Sequence, residues 1–145
     1  MTKRLKLLGA LMLLGSIALP MARGCASVDV QGRLVHPYKY AFEHLDSADE
    51  RFYTLAIFGW PMVALGILAW RQRGYVSFGV RAAEPFLIVL SFVVINFIST
   101  FFTGGRALGA YVAFAGLGFY AVGALWSDVI VFREWRTARS ALPKS

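Results

Sequence analysis

The 145-residue chain holds one cysteine, Cys25, and two histidines, His36 and His44. A lone cysteine excludes an intramolecular disulfide, a cysteine-based zinc cage and a CxxCH haem attachment. Both histidines fall in one polar stretch, which excludes a haem clamped by histidines on two membrane helices. Charge is also scarce, 16% of residues against roughly 25% in soluble domains, and acidic residues are the scarcer sign, eight against 15 basic. No serine sits in a nucleophile elbow and no glycine-rich loop could cradle phosphate. The expectation is a non-enzyme without cofactor or metal. Only His36, His44, Glu43 and Asp46 offer ligands of the right type, at a spacing that specifies nothing.

What the chain has in abundance is apolar sequence. Hydrophobic residues make up 58% of it, and Pro85 to Thr103 runs 19 residues without an ionisable side chain. About 20 such residues cross a bilayer core of about 30 Å. The 14 glycines fit the same solvent, because glycine lets membrane helices approach backbone to backbone. A formal charge of +7 invites a nucleic-acid reading, yet the basic residues sit in short connections between apolar runs, where no folded polar face could form. Nucleic acid is excluded as a partner. The pattern predicts an all-α integral membrane bundle of four transmembrane helices in a single domain, at about 5–22, 48–70, 85–103 and 106–132.

Three fates compete for the first apolar segment. Lys3, Arg4 and Lys6 followed by Leu7 to Ala22 describe a retained helix, and equally the charged start and apolar core of a cleaved signal, which would leave three helices. A lipidated Cys25 is the third, with Ala22 and Arg23 fitting poorly before it. Retention is the expectation. The polar segment 23–47 is too short to bury a core of its own. In it Val28, Val30 and Leu34 nearly alternate, and Tyr38, Tyr40, Ala41, Phe42 and Leu45 suit a short interfacial helix.

Ser47-Ala48-Asp49-Glu50 is a capping box that opens the second membrane helix, with Pro61 inside it predicting a kink. Glu84-Pro85 predicts the start of the third, with proline in the first turn and the carboxylate at the positive end of the dipole. Gly104-Gly105 turns the chain into the fourth. Orientation follows from basic residues, which cytoplasmic loops retain. Ten (Lys3, Arg4, Lys6, Arg71, Arg73, Arg81, Arg133, Arg136, Arg139, Lys144) fall on one side, and five (Arg23, Arg33, Lys39, Arg51, Arg106) on the other, where acidic residues cancel them. Both termini are expected in the cytoplasm of a bacterial-type inner membrane.

Helix four carries Gly109, Gly116 and Gly123 at intervals of seven, with Ala113 between, and helix two carries Ala56, Gly59 and Gly66. Both stripes predict helix-packing faces, within the bundle or against another subunit. Folding the last two helices together brings Arg81 to Asp128 as an ion pair and places Asn96 opposite Ala113. Trp60 and Asn96 are the candidates for lining an intramembrane cavity. Trp70, Trp126 and Trp135 suit interfacial anchoring. The expected partners are the lipid bilayer and other membrane subunits, with the chain as a non-catalytic accessory or assembly factor. The alternative is a carrier of a small apolar molecule, lipid or quinone-like, near Trp60 and Asn96.

Overall fold

A long apolar run leaves the backbone no partner but itself in lipid, and helix satisfies that demand. The computed structural model describes residues 2–41, 48–70, 75–100 and 105–140. Its elements are α1 (Thr2–Gly15) with a 3-10 turn at Ser16–Ala18, β1 (Ala22–Arg23), β2 (Ser27–Val28), β3 (Leu34–Val35) and β4 (Tyr38–Lys39), then α2 (Ala48–Trp70), α3 (Tyr75–Thr100), β5 (Gly105–Arg106) and α4 (Leu108–Ser140). The fold is all-α, and Arg51–Trp70, Phe78–Thr100 and Leu108–Arg133 are long and apolar enough to cross a membrane.

Each helix packs against the next in chain order, and α1 closes the ring on α4. The membrane window of α4 is 44% buried, twice the 22% of α2 or α3, with α4 packed on both α1 and α3. Its small residues explain why. A Cβ added to Gly116 would lie 2.8 Å from the Leu13 amide nitrogen, and one added to Gly9 of α1 only 2.5 Å from the Gly116 carbonyl oxygen. Gly109 lies against the carbonyls of Leu19 and Pro20, Gly123 against Lys6, and Ala113 is fully buried. Two backbones therefore meet almost without side chains between them, the close approach that strengthens helix pairs in lipid.

At the far end of α1 the helix stops earlier than the apolar run does. Ser16 Oγ donates to the Leu13 carbonyl at 2.6 Å, Pro20 lacks the N–H a continuing helix needs, and Met21 N donates to Lys39 O at 2.8 Å. β1 is then the centre of a small antiparallel sheet ordered β4-β1-β5, pairing Ala22 with both Lys39 and Arg106. Gly109 N, in the first turn of α4, donates to Pro20 O at 2.8 Å, which satisfies an amide that the helix itself cannot. β2 and β3 form a separate hairpin whose loop runs through Gly32 at φ 75°, with Gly32 N bonded to Asp29 O at 2.8 Å. That is a tight turn followed by a left-handed glycine, a frequent short hairpin loop.

Three expectations are corrected here. The interfacial helix from Tyr38 is a strand at its start, because Tyr38–Lys39 pairs with β1; Phe42 to Ser47, including the capping serine, lies outside the described residues. α3 begins at Tyr75, not at Glu84-Pro85, so Pro85 sits inside the helix. Proline costs the Arg81 carbonyl its usual partner, but packing in a bundle tolerates that loss. α1 ends at Gly15 and its 3-10 turn, short of residue 22, for the reasons just given. α2 runs unbroken through Pro61.

Gly116→Val is expected to lower stability by about 1–3 kcal/mol or more through overpacking. Gly118→Val, two residues along where an added Cβ meets nothing within 4 Å, leaves it nearly unchanged. Unfolding midpoints of the two variants in one detergent check the contrast.

Candidate functional site

All four helices send a polar or aromatic side chain to one place in the bundle. Lys6 from α1, Glu84 from α3 and Tyr120 from α4 are 4%, 1% and 0% exposed, and Trp60 from α2 is half-buried beside them. Lys6 Nζ donates to both carboxylate oxygens of Glu84, at 2.9 Å to Oε1 and 2.8 Å to Oε2. Tyr120 Oη donates to Oε1 of the same carboxylate at 2.8 Å. The Lys6 ammonium also lies 5.5 Å from the centroid of the Tyr120 ring, within cation–π range. Trp60 meets that ring edge to face at 5.1 Å and donates from Nε1 to Ser91 Oγ at 2.8 Å. Ser91 Oγ in turn donates to the Ile57 carbonyl at 3.4 Å.

Helical spacing brings these groups inward. On α1, Lys6, Gly9, Ala10 and Leu13 share the buried face while Lys3 and Arg4 are exposed. On α3 the inward stripe is Glu84, Ile88, Ser91, Ile95 and Ser99, and on α4 it is Ala113, Gly116, Leu117, Tyr120 and Ala124. The earlier start of α3 changes the role of Glu84 altogether. Read as a helix-capping carboxylate it would be wet; ten residues into α3 it is buried and needs a cation. Glu84 is thus an ionisable group inside a membrane-length helix, where the sequence pattern predicts it at the helix start. Its seven-residue spacing to Ser91, and the four-residue spacing from Lys6 to Ala10, were the signals available.

Among the described residues no buried side-chain nitrogen or oxygen lacks a partner. The carboxylate accepts three bonds and the ammonium is held by two of them. The cluster ties α1, α3 and α4 together through one carboxylate, with Trp60 of α2 against the tyrosine ring.

The structure places the other sequence-predicted residues as follows. Arg81 Nη1 stands 3.3 Å from Asp128 Oδ1 and donates to Ser127 Oγ at 3.1 Å, with both charged side chains partly exposed. Asn96 Oδ1 accepts from Arg106 Nη2 at 2.6 Å, and that guanidinium lies 5.2 Å from the Phe114 ring centroid. An arginine at the β5 end therefore holds the Asn96 amide oxygen. Trp60 lines a groove between α2 and α3 to which Asn96 contributes nothing, so the two do not form one cavity. Gly116 and Gly123 pack on α1, Gly109 packs on Leu19 to Met21 just after it, and Ala113 is buried in the core. Ala56, Gly59 and Gly66 do not pack inside the chain: Ala56 and Gly66 are exposed, and an added Cβ at Gly59 or Gly66 meets nothing within 4 Å. The buried face of α2 is instead Thr54, Phe58, Pro61 and Ala64, which its bulkier side chains select. No group of three or more His, Cys, Asp or Glu among the described residues is placed to hold a metal; Glu43, His44 and Asp46 lie outside them.

Comparison with protein-family models, curated proteins and solved structures returned no match.

Removing one member of a buried ion pair leaves the other charge uncompensated, at a cost of about 3–5 kcal/mol. Lys6→Met is expected to lose that much, and Lys6→Met combined with Glu84→Leu to recover most of it. A double-mutant cycle on unfolding in detergent measures the coupling; additive losses would show that the pair holds nothing together.

Proposed function

We propose that the chain is a non-catalytic accessory or assembly subunit of a larger membrane complex, and that the groove between α2 and α3 receives a transmembrane helix of a partner subunit. One observation carries this: of two small-residue faces in the same chain, the one on α4 is filled by α1 and the one on α2 is left open. Lipid tails are fluid and cover a bulky surface as well as a smooth one, so glycine on a lipid-facing stripe gains nothing. A second helix gains a great deal from it. The groove has a volume of about 520 Å³ and is walled by Ala56, Gly59, Val63 and Ile67 on one side and Val80, Ala83 and Leu87 on the other. From Phe52 to Ile67 it follows α2 for about 22 Å at 1.5 Å per residue, a length suited to a helix rather than a headgroup.

In this proposal α1 is retained, held by Lys6 on Glu84 and by Gly9 on Gly116. Both termini lie in the cytoplasm of a bacterial-type inner membrane, supported by the gathering of Lys3, Arg4, Arg81, Arg133 and Arg136 at one end of the bundle. Trp70 and Trp126, both exposed near that end, suit the headgroup layer.

A second reading, a small apolar molecule in the same groove, has Trp60 and Glu84 in the lining on its side. Gly59→Leu, in the groove itself, separates the two. It adds bulk where the structure is open, so the protein is expected to fold and keep its stability while a partner membrane subunit no longer co-purifies under mild extraction. Undiminished co-purification, or a stoichiometric apolar molecule released from the wild-type protein and missing from the variant, would remove the helix-docking proposal.

A further inference from the structure

At the end of the bundle where α1 and α3 begin and α2 and α4 run out lies a second cleft, of about 340 Å³. Its polar wall carries three basic side chains, Lys3, Lys6 and Arg81, with the hydroxyl residues Thr2 and Ser127; Leu7, Leu65, Leu68 and Ala69 make the other wall. Among the described residues no carboxylate lines it. Glu84 and Asp128 engage Lys6 and Arg81 from outside the lining, and Lys3 has no partner among the described residues. The bonds of Arg81 to the described residues both run from Nη1, and a guanidinium has further donors on Nη2 and Nε. Thr2 also opens α1, whose first turn holds no acidic residue, so the positive end of that helix dipole reaches the cleft uncompensated.

We propose that this cleft binds the phosphodiester headgroup of an anionic phospholipid. Cation, hydroxyl and helix-start amides converge on one side, where a phosphate is recognised, and leucine side chains line the other, where acyl chains lie. Basic clefts between membrane helices at this level are the places where anionic headgroups settle, each Lys or Arg near the surface contributing about fivefold in affinity. Lys3 is the selective element, because Lys6 and Arg81 already have carboxylate partners. The site is separate from the α2–α3 groove and stands or falls independently of it.

The test uses the full chain in detergent, titrated with dioleoyl phosphatidylglycerol, dioleoyl phosphatidylcholine or inorganic phosphate, and read by native mass spectrometry and by the unfolding midpoint. One phosphatidylglycerol is expected to survive activation that strips phosphatidylcholine, and to raise the midpoint. Lys3→Gln, an exposed change that removes no packing, weakens that binding about fivefold, and Lys3→Arg restores it. Gly59→Leu, in the α2–α3 groove, leaves it unchanged. Equal retention of phosphatidylcholine, an unaltered affinity in Lys3→Gln, or full reproduction of the effect by millimolar inorganic phosphate would overturn the proposal, the last by showing a small-anion site in place of a lipid site.

Discussion

A lysine and a glutamate placed separately inside an apolar bundle would each cost far more than a helix contact returns, so the two must meet. Lys6 is near the start of α1 and Glu84 is ten residues into α3, and these helices are not neighbours around the ring. Their ion pair therefore crosses the middle of the bundle and fixes the height of α1 against the rest. A slip of α1 by one turn moves the ammonium about 5.4 Å, out of reach of the carboxylate and away from Tyr120. The same slip lifts Gly9 off Gly116 and sets a side chain against a backbone with no room for one. Polar pairing and glycine packing thus demand a single register, and each makes errors in the other expensive.

The other end of α1 is held by different physics. Met21 bonds to Lys39 and to Ala107, and Pro20 supplies the carbonyl that receives Gly109 at the start of α4. Between an ion pair at one end and a three-strand sheet at the other, α1 has little freedom to leave α4. α2 and α3 are bound less closely. Trp60 on Ser91 and Ser91 on Ile57 are the polar links described between them, and beyond that point their facing surfaces separate into the groove. The molecule has one tightly closed half and one half with room.

Composition and run length sufficed for the class and for the three long apolar helices, because the solvent leaves so few alternatives to helix. The start of α3 was not legible, since Glu84-Pro85 is as good a helix opening by local rules as any in the chain. Only tertiary structure, the burial of Glu84 against Lys6, overrides it. Likewise Tyr38 and Tyr40 with Leu45 match an amphipathic turn, and the strand at Tyr38–Lys39 arises from pairing with residues some 16 positions earlier. The fates of the two glycine stripes could not be told apart by pattern. Gly116 met a partner inside the chain because α1 has its own Gly9 at the matching height, and Gly109 and Gly123 met Leu19–Pro20 and Lys6, whereas among the described residues nothing approaches an added Cβ at Gly59 or Gly66.

Among the described residues every buried side-chain nitrogen and oxygen is already bonded. In the proposed reading, function belongs to what the folded surface leaves unsatisfied. Among the described residues two places qualify, and each is recognised by a missing ingredient: the α2–α3 groove lacks side chains that would fill it, and the cleft beside Lys3 has no described carboxylate in its lining. The closed core is what makes both persist. Were Lys6 and Glu84 free to exchange partners, Lys6 could retreat from the cleft and Glu84 could open into the groove, blurring the charge of one and the apolar character of the other. By binding these two charges to each other, the bundle keeps an apolar surface and a cationic surface distinct within 16.0 kDa of protein.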